Sequence, residues 1–309
     1  MDASIVIPAY KSKATIGACL DALVAQETGI SYEIIVVDSS ADGTGALVGE
    51  RYPTVRMIES PVRLFSGAAR NVGAEWATGR LLFFIDSDCI AEPRWIERMR
   101  ASIERFDCSA VSGAMLNGNP QHSISVSSYV MEFSDFYAYG KPRFVDYLPT
   151  GNICYRADVF RKYGGFDPNQ RLYVDLMFNK MLSASGEKLL FNPETGVRHL
   201  HRNSLGVYLG HEHGRGRAAA IARRKGLLVG ASLARYPALA FLAAPGLFGR
   251  KAAVFPYRFL RAYPREAGRL LRALPYFYLA LVVWHHGFLS EVVAGRQDTR
   301  KETVEWTAN

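Results

Sequence analysis

Cysteine is scarce in this chain. The four present, Cys19, Cys89, Cys108 and Cys154, fall at spacings that suggest neither a disulfide framework nor a zinc site. Uninterrupted apolar runs of spanning length are missing as well. Gly226 to Gly249 is largely apolar but carries Arg235, Pro237 and Pro245, and the run from Ala273 to Trp284 is short. A membrane-spanning helix needs about 20 consecutive apolar residues, so neither segment is expected to be one. No G-x-G-x-x-G follows the first apolar strand, which excludes a dinucleotide-dependent dehydrogenase. Repeats and low-complexity tracts are absent. No signal peptide precedes the first strand pattern, from which a cytoplasmic protein is expected.

What the chain does contain is an α/β pattern whose strands end in acids. With 309 residues and 49% apolar content it can bury a full α/β domain with residues left over. Residues 4–8 read as a first strand, followed by a helix from Lys13 to Gln26. Ile34 to Val37 is a second apolar strand closed by Asp38, and in the polar turn after it Asp42 or Thr44 caps the next helix. Val55 to Ile58 is a short third strand, and Ser66 to Thr78 reads as a helix with Gly79 as its C-cap. Leu81-Leu82-Phe83-Phe84-Ile85 then runs straight into Asp86-Ser87-Asp88. Strands alternating with helices at this spacing imply a doubly wound, mostly parallel sheet. Ligands bind beyond the carboxyl ends of such strands, so these two carboxylates stand where chemistry is expected. Hard oxygens at this spacing suit Mg²⁺ or Mn²⁺ bridging to substrate phosphates.

Beyond residue 110 the pattern becomes irregular. It holds a polar-aromatic stretch from Ser123 to Tyr139, turns at Thr150-Gly151-Asn152 and Gly164-Gly165, and a helix from Val174 to Ser185 ended by Gly186. Charge is divided unevenly: residues 1–195 carry 19 Lys and Arg against 23 Asp and Glu, whereas residues 196–309 carry 18 against 6. The C-terminal part therefore calls for an anionic partner, nucleic acid or an anionic membrane surface. Arg250, Lys251, Arg258, Arg261, Arg265, Arg269 and Arg272 are interleaved there with Phe255, Tyr257, Phe259, Leu260, Tyr263 and Leu270. That mixture fits an interfacial element lying among lipid headgroups, with a solvated basic face on an ordinary helix pair as the alternative. The membrane surface is the favoured partner; nucleic acid is not expected.

Four ordered motifs converge on one family. Ile5-Val6-Ile7-Pro8-Ala9-Tyr10, Val36-Val37-Asp38 with Asp42-Gly43-Thr44, Ala69-Arg70-Asn71-x-Gly73 and Phe84-Ile85-Asp86-Ser87-Asp88 resemble glycosyltransferase family 2 over roughly residues 4–217. The resemblance implies a GT-A fold, inverting transfer from a nucleotide-diphosphate sugar, and a divalent metal, Mn²⁺ or Mg²⁺. It places Pro8, Ala9, Tyr10 and Asp38 around the base, where Asp38 accepts from a uracil or guanine N–H. Arg70 would reach the diphosphate through its planar fork, and Asn71 would hold the base or a neighbouring loop. Asp86, with Ser87 beside it in the donor site, would contact the ribose or sugar, and Asp88 would ligate the metal.

Further along, Thr150-Gly151-Asn152-x-x-Tyr155-Arg156 and Phe160-x-x-x-Gly164-Gly165-Phe166-Asp167 resemble the family's acceptor side. A Glu-Asp pair normally follows and supplies the catalytic base, but here the chain reads Tyr173-Val174-Asp175. Aligning on Gly186 puts Asp175 at the base and Val174 at the usual Glu; anchoring on Asp175-Leu176 would put Tyr173 there instead. The first register needs no gap and is preferred. Val197-Arg198-His199-x-His201 resembles the stretch where a His completes the metal site, and His199 matches better than His201. His211-Glu212-His213 is no metalloprotease motif, because its two histidines are too close. The Gln-x-x-Arg-Trp signature of processive synthases is absent, which favours one sugar per encounter.

The expected organisation is a nucleotide-sugar-binding half (1–110), an acceptor-binding and catalytic half of the same domain (111–217), and a basic, apolar, membrane-associating helical region (218–309). The acceptor is expected to be a saccharide or lipid-linked saccharide in cell-surface polysaccharide biosynthesis. The place of work would be the cytoplasmic face of the membrane, in peripheral or monotopic attachment. Two other readings stay open. A sugar nucleotidyltransferase would need a Gly-rich basic loop where Ala9-Tyr10-Lys11-Ser12-Lys13 has no glycine. A non-catalytic binding protein on a degenerate transferase fold is kept open by Val174.

Overall fold

The computed structural model describes residues 1–169 and 173–295. Of the described residues, those in 1–121 and 132–201 form one compact unit, and those in 122–131 and 202–295 form a second. The division falls at 201/202 rather than 217, because His211 to Arg217 lies inside a helix that runs unbroken from Leu205 to Arg224.

The first unit opens with β1 (Ala3–Ala9), α1 (Ile16–Val24), β2 (Tyr32–Asp38), α2 (Thr44–Arg51), β3 (Arg56–Glu59), α3 (Ser66–Trp76) and β4 (Leu81–Ile85). There follow β5 (Cys89–Ala91), α4 (Trp95–Phe106), β6 (Ala110–Asn117), α5 (Ser123–Phe133, mostly in the second unit) and β7 (Arg143–Val145). β8 (Asn152–Arg156), α6 (Ala157–Lys162), α7 (Val174–Ala184) and β9 (Leu189–His199) complete it. Among the described residues the nine strands make one sheet, in the order β3-β2-β1-β4-β8-β6-β9-β5 with β7 on β9.

β3, β2, β1 and β4 are parallel, as the alternating pattern predicts. The other half is mixed. β8 is antiparallel to both β4 and β6, β6 is parallel to β9, and β5 is antiparallel to β9. A mixed sheet thus replaces the mostly parallel one expected, since the later strands are not joined by regular crossover helices. Ile5–Ile7, Ile35–Val37 and Leu82–Ile85 are shielded completely. Strands covered on both faces read as continuous apolar runs, which is why these three were visible in sequence. Beside them Phe84, Tyr155, Phe160, Phe166 and Phe178 interlock with ring centroids 5.1–6.0 Å apart. Such tilted and edge-to-face pairs are worth about 0.5–1.5 kcal/mol each beyond burial, and here they pin α7 against β4 and β8.

Gly79 has a different role from the cap expected of it. α3 ends at Trp76 with Ala77 extended, and Gly79 lies against β1, its amide donating to Ser4 Oγ at 2.8 Å. A Cβ at Gly79 would stand 2.4 Å from the Ala3 carbonyl carbon. Helix α1 starts at Ile16, later than Lys13, because residues 13–15 form a turn in which the Thr15 and Ile16 amides both donate to Ser12 O.

The second unit contains α8 (Leu205–Arg224), α9 (Ala231–Arg235), α10 (Pro237–Ala262) and α11 (Ala267–Ala294). Contrary to the expectation of broken apolar segments, α10 continues through Pro245 and Pro256, and α11 through Pro275. A proline in a helix forfeits one backbone hydrogen bond and strains the preceding turn without necessarily ending it. By length and composition alone, both helices are long and apolar enough to cross a membrane. α8 and α11 approach backbone to backbone: a Cβ at Gly216 would lie 2.0 Å from Trp284 O, and one at Gly287 2.2 Å from His213 O. Near the end of this contact Glu291 is held by Arg217 at 3.0 Å and Arg224 at 2.5 Å.

Replacing Gly79 with Ala is expected to lower unfolding free energy by about 1–3 kcal/mol, the usual cost of overpacking, because the colliding atoms are backbone. Chemical denaturation followed by circular dichroism measures it; an unchanged midpoint would mean that β1 yields freely.

Candidate active site

The register of the parallel strands gathers the expected residues at one sheet edge. Pro8 and Ala9, the last two residues of β1, stand opposite Val37 and Asp38, and β4 on the other side of β1 delivers Asp86, Ser87 and Asp88 just past Ile85. Two hydroxyl contacts tie these ends together: Ser12 Oγ to Ser87 Oγ at 2.8 Å, and the Lys11 amide to Ser40 Oγ at 3.0 Å. Tyr10 is half-buried, with the Arg63 guanidinium 4.3 Å above its ring. Asp38 is buried and its Oδ1 accepts from the Ser40 amide and hydroxyl, which makes it the anchor of the turn after β2.

Asp86 is fixed from two sides. Arg70, on α3 and only 3% exposed, donates from Nη2 to Asp86 Oδ1 at 2.5 Å. On the other side Gly151 packs so closely that a Cβ there would lie 2.7 Å from Asp86 Oδ2. Arg70 is therefore no surface fork waiting for a diphosphate; it is an internal guanidinium that holds a carboxylate. Asn71 realises the second of its two expected roles. Its Nδ2 donates to Phe166 O at 2.6 Å while its Oδ1 accepts from the Phe166 amide at 3.0 Å, clasping the loop before α7. Asn152, expected at the acceptor side, is wholly buried. It accepts from Trp95 Nε1 at 2.7 Å and donates to Ala114 O at 3.0 Å, so both ends of its amide are used in the core. Thr150 is buried as well, which leaves Gly151 as the member of that turn touching the site.

Asp175 occupies the first turn of α7, partly exposed, with its Oδ1 on the Leu176 amide at 2.9 Å and Tyr147 OH 3.4 Å from Oδ2. Desolvation by the surrounding protein pushes its carboxyl above the ordinary value. The Leu176 amide and the nearby Arg70 pull it back, and Asp86 adds to the rise. Tyr173, the rival for the base position, is held in a left-handed conformation (φ 57°) at the N-cap of α7. Val174 is buried, its methyl groups against Gly67 of α3. An ionised Glu in that place would be an unpaired charge in an apolar contact.

The antiparallel pairing of β5 with β9 sets His199 directly across from Cys89. His199 Nε2 lies 3.5 Å from Asp88 Oδ1, and the Leu200 amide donates to the Asp88 carbonyl at 2.8 Å. His201 stands behind, its ring 4.4 Å from that of His199, with Phe133 against both. One oxygen of Asp88, one nitrogen of His199 and the Cys89 sulfur all lie within 4.8 Å of one another. A carboxylate and an imidazole at this separation, with His199 Nδ1 buried and lacking a hydrogen-bond partner, suit a divalent cation. Cys89, Tyr147 and the bracing role of Arg70 escaped the sequence reading. Only Cys89 left a trace there, as the residue next to Asp88.

Comparison with known proteins agrees with this architecture. Glycosyl transferase family 2 matches residues 4–164, and the chain belongs to that family, with a GT-A fold. Succinoglycan biosynthesis protein ExoO of Rhizobium meliloti is 39% identical over 232 residues, covering 69% of this chain and 64% of ExoO. Glycosyltransferase AglE of Haloferax volcanii is 28% identical over 193 residues, covering 61% of this chain and 63% of AglE. The chain thus spans less than two thirds of these relatives' length. The crystal structure of S. aureus TarS 1–349 in complex with UDP has the same fold, at a TM-score of 0.53 and 17% identity over 96% of this chain and 92% of that one.

Removing the Arg70 charge, as in Arg70→Met, is expected to move the Asp175 carboxyl titration to higher pH, since the guanidinium holds that carboxyl down. Carbon-detected NMR of the side-chain carboxyls reads the change. A titration that stays put or moves downward would break the link between the two groups.

Proposed function

We propose that the protein is a metal-dependent, inverting glycosyltransferase that moves one sugar at a time from a nucleotide-diphosphate sugar to an acceptor hydroxyl. The observation that carries this reading is the placement of three acids: Asp86 braced by Arg70, Asp88 paired with His199, and Asp175 in the first turn of α7. The UDP complex of TarS and the biosynthetic role in ExoO's name support the donor class and a polysaccharide product.

Asp175 would take the proton from the acceptor oxygen as that oxygen attacks the anomeric carbon. The bond to the diphosphate then breaks on the opposite face and the nucleotide diphosphate departs. Desolvation raises the affinity of this carboxylate for a proton, which makes it the stronger base for that step. Asp86, held by Arg70 and Gly151, cannot swing away and so fixes one side of the donor pocket. Asp88 and His199 are the residues that would hold Mn²⁺ or Mg²⁺, which when bound neutralises charge developing on the diphosphate. Pro8, Ala9, Tyr10 and Asp38 would frame the base, with Arg63 over the Tyr10 ring as its cover.

A saccharide carried on a lipid, reached at the cytoplasmic face of a membrane, is the acceptor that best suits the second unit. Its α10 exposes Leu239, Phe241, Leu242, Tyr257 and Leu260. Arg258, Arg261, Arg265 and Arg269 crowd the turn between α10 and α11. That turn is tied to residues 122–131 through Tyr129 OH and Tyr263 OH at 2.9 Å. Segment 122–131 is too short to cross a bilayer and return, so the basic turn stays on the side where the chain enters. α8, which carries Arg215, Arg217, Arg223 and Arg224, is too charged to cross as a partner helix. These features favour α10 and α11 lying along the surface, with the basic turn among anionic headgroups.

Two measurements test the proposal. Asp175→Asn should keep UDP-sugar affinity near wild type while lowering turnover by roughly two to four orders of magnitude, the usual range for a lost general base. Should Tyr173→Phe show that pattern while Asp175→Asn stays active, the base is misassigned. For the membrane, wild-type protein should sediment with anionic vesicles and be released largely by high salt. Arg258, Arg261, Arg265 and Arg269 changed together to Gln should weaken that binding with donor hydrolysis intact; undiminished binding would refute the interfacial reading.

A further inference from the structure

We infer that Cys89 is a third protein ligand of the cation site, which would then hold a borderline divalent metal through one oxygen, one nitrogen and one sulfur, even without nucleotide. The inference rests on the reading of Asp88 and His199 as metal residues.

The sheet supplies the geometry. Residues directly opposite on antiparallel strands project their side chains to the same face, and Cys89 is opposite His199. Asp88 precedes β5 in the turn after β4, so its carboxylate is not bound by strand alternation and reaches the same place. Around a tetrahedral ion with bonds of about 2.0–2.3 Å, neighbouring ligand atoms sit about 3.3–3.8 Å apart. His199 Nε2 and Asp88 Oδ1 already stand at 3.5 Å. One ligand atom from each of Asp88, Cys89 and His199 lies within 4.8 Å of the other two, so small side-chain adjustments would close the set around an ion. His199 packs in a three-ring cluster with Phe133 and His201, its ring centroid 5.4 and 4.4 Å from theirs.

The chemistry follows from the donor set. On binding, the sulfur–metal bond forms as the S–H bond breaks and its proton leaves to solvent, because a coordinating thiol is deprotonated by the cation. A carboxylate, a thiolate and a neutral imidazole then balance a dication and leave a fourth position open for a diphosphate oxygen. A thiolate favours Zn²⁺ or Co²⁺ over Mg²⁺, so the site should discriminate among metals where two hard oxygens would not.

Cobalt titration of the full chain, with and without UDP, tests this by absorption. Wild type and Cys19→Ser should both show a thiolate-to-cobalt charge-transfer band in the near ultraviolet without UDP, and Cys89→Ser should lack it. Cobalt binding without that band, lost in Asp88→Asn, would overturn Cys89 as a ligand while leaving the Asp88–His199 site standing. No cobalt binding under either condition would overturn both. If Cys89→Ser does not fold, X-ray absorption of zinc-loaded wild type decides: one sulfur at about 2.3 Å supports the assignment, and a shell of nitrogen and oxygen alone refutes it.

Discussion

Everything at the carboxyl edge of the sheet leans on the ion pair between Arg70 and Asp86. A guanidinium almost wholly removed from water is costly unless a carboxylate meets it, and Asp86 does so at 2.5 Å. The pair joins α3 to the end of β4. Through Gly151 pressed on the other carboxylate oxygen, it also joins β4 to the approach to β8. Three elements are thereby locked at the point where a donor would bind. The same charge also reaches Asp175, where Arg70 partly opposes the upward pull that desolvation chiefly, and Asp86 in addition, exert on that carboxyl.

A second constraint is apolar. Phe84, Phe160, Phe166 and Phe178 form a packed aromatic cluster that carries α7, and Asn71 clasps the loop leading into it with two hydrogen bonds. Asp175 is thus presented from the first turn of a packed helix rather than from a loop, a placement that would suit the base role proposed for it. Val174 belongs to the same packing, which explains why a neighbouring acid can be absent here without disordering the site.

The second unit solves a different problem, that of carrying many cations on apolar helices. Where α8 meets α11 the glycines allow contact at backbone distance, and Glu291 takes two arginines at once. α10 exposes apolar side chains such as Phe241, Leu242 and Tyr257, and it carries Arg250, Lys251, Arg258 and Arg261 along the same helix.

Sequence alone determined the parallel half of the sheet, the acids at its strand ends and the family, because doubly buried strands must be continuously apolar and their carboxyl ends must turn outward. It also proposed, by alignment of short motifs, Asp175 as the base and His199 as a metal ligand. It was misled where chemistry depends on what a side chain meets across the fold. Arg70 and Asn152 look like ligand-binding groups, yet Asp86 claims the first, while Trp95 and Ala114 claim the second. The prolines of α10 look like breaks, yet the helix absorbs them. Cys89 looks inert, and only the antiparallel register of β5 on β9, formed between strands more than a hundred residues apart, sets it beside His199 and Asp88. Local pattern encodes what a segment must bury; which polar groups face one another is decided when distant strands pair.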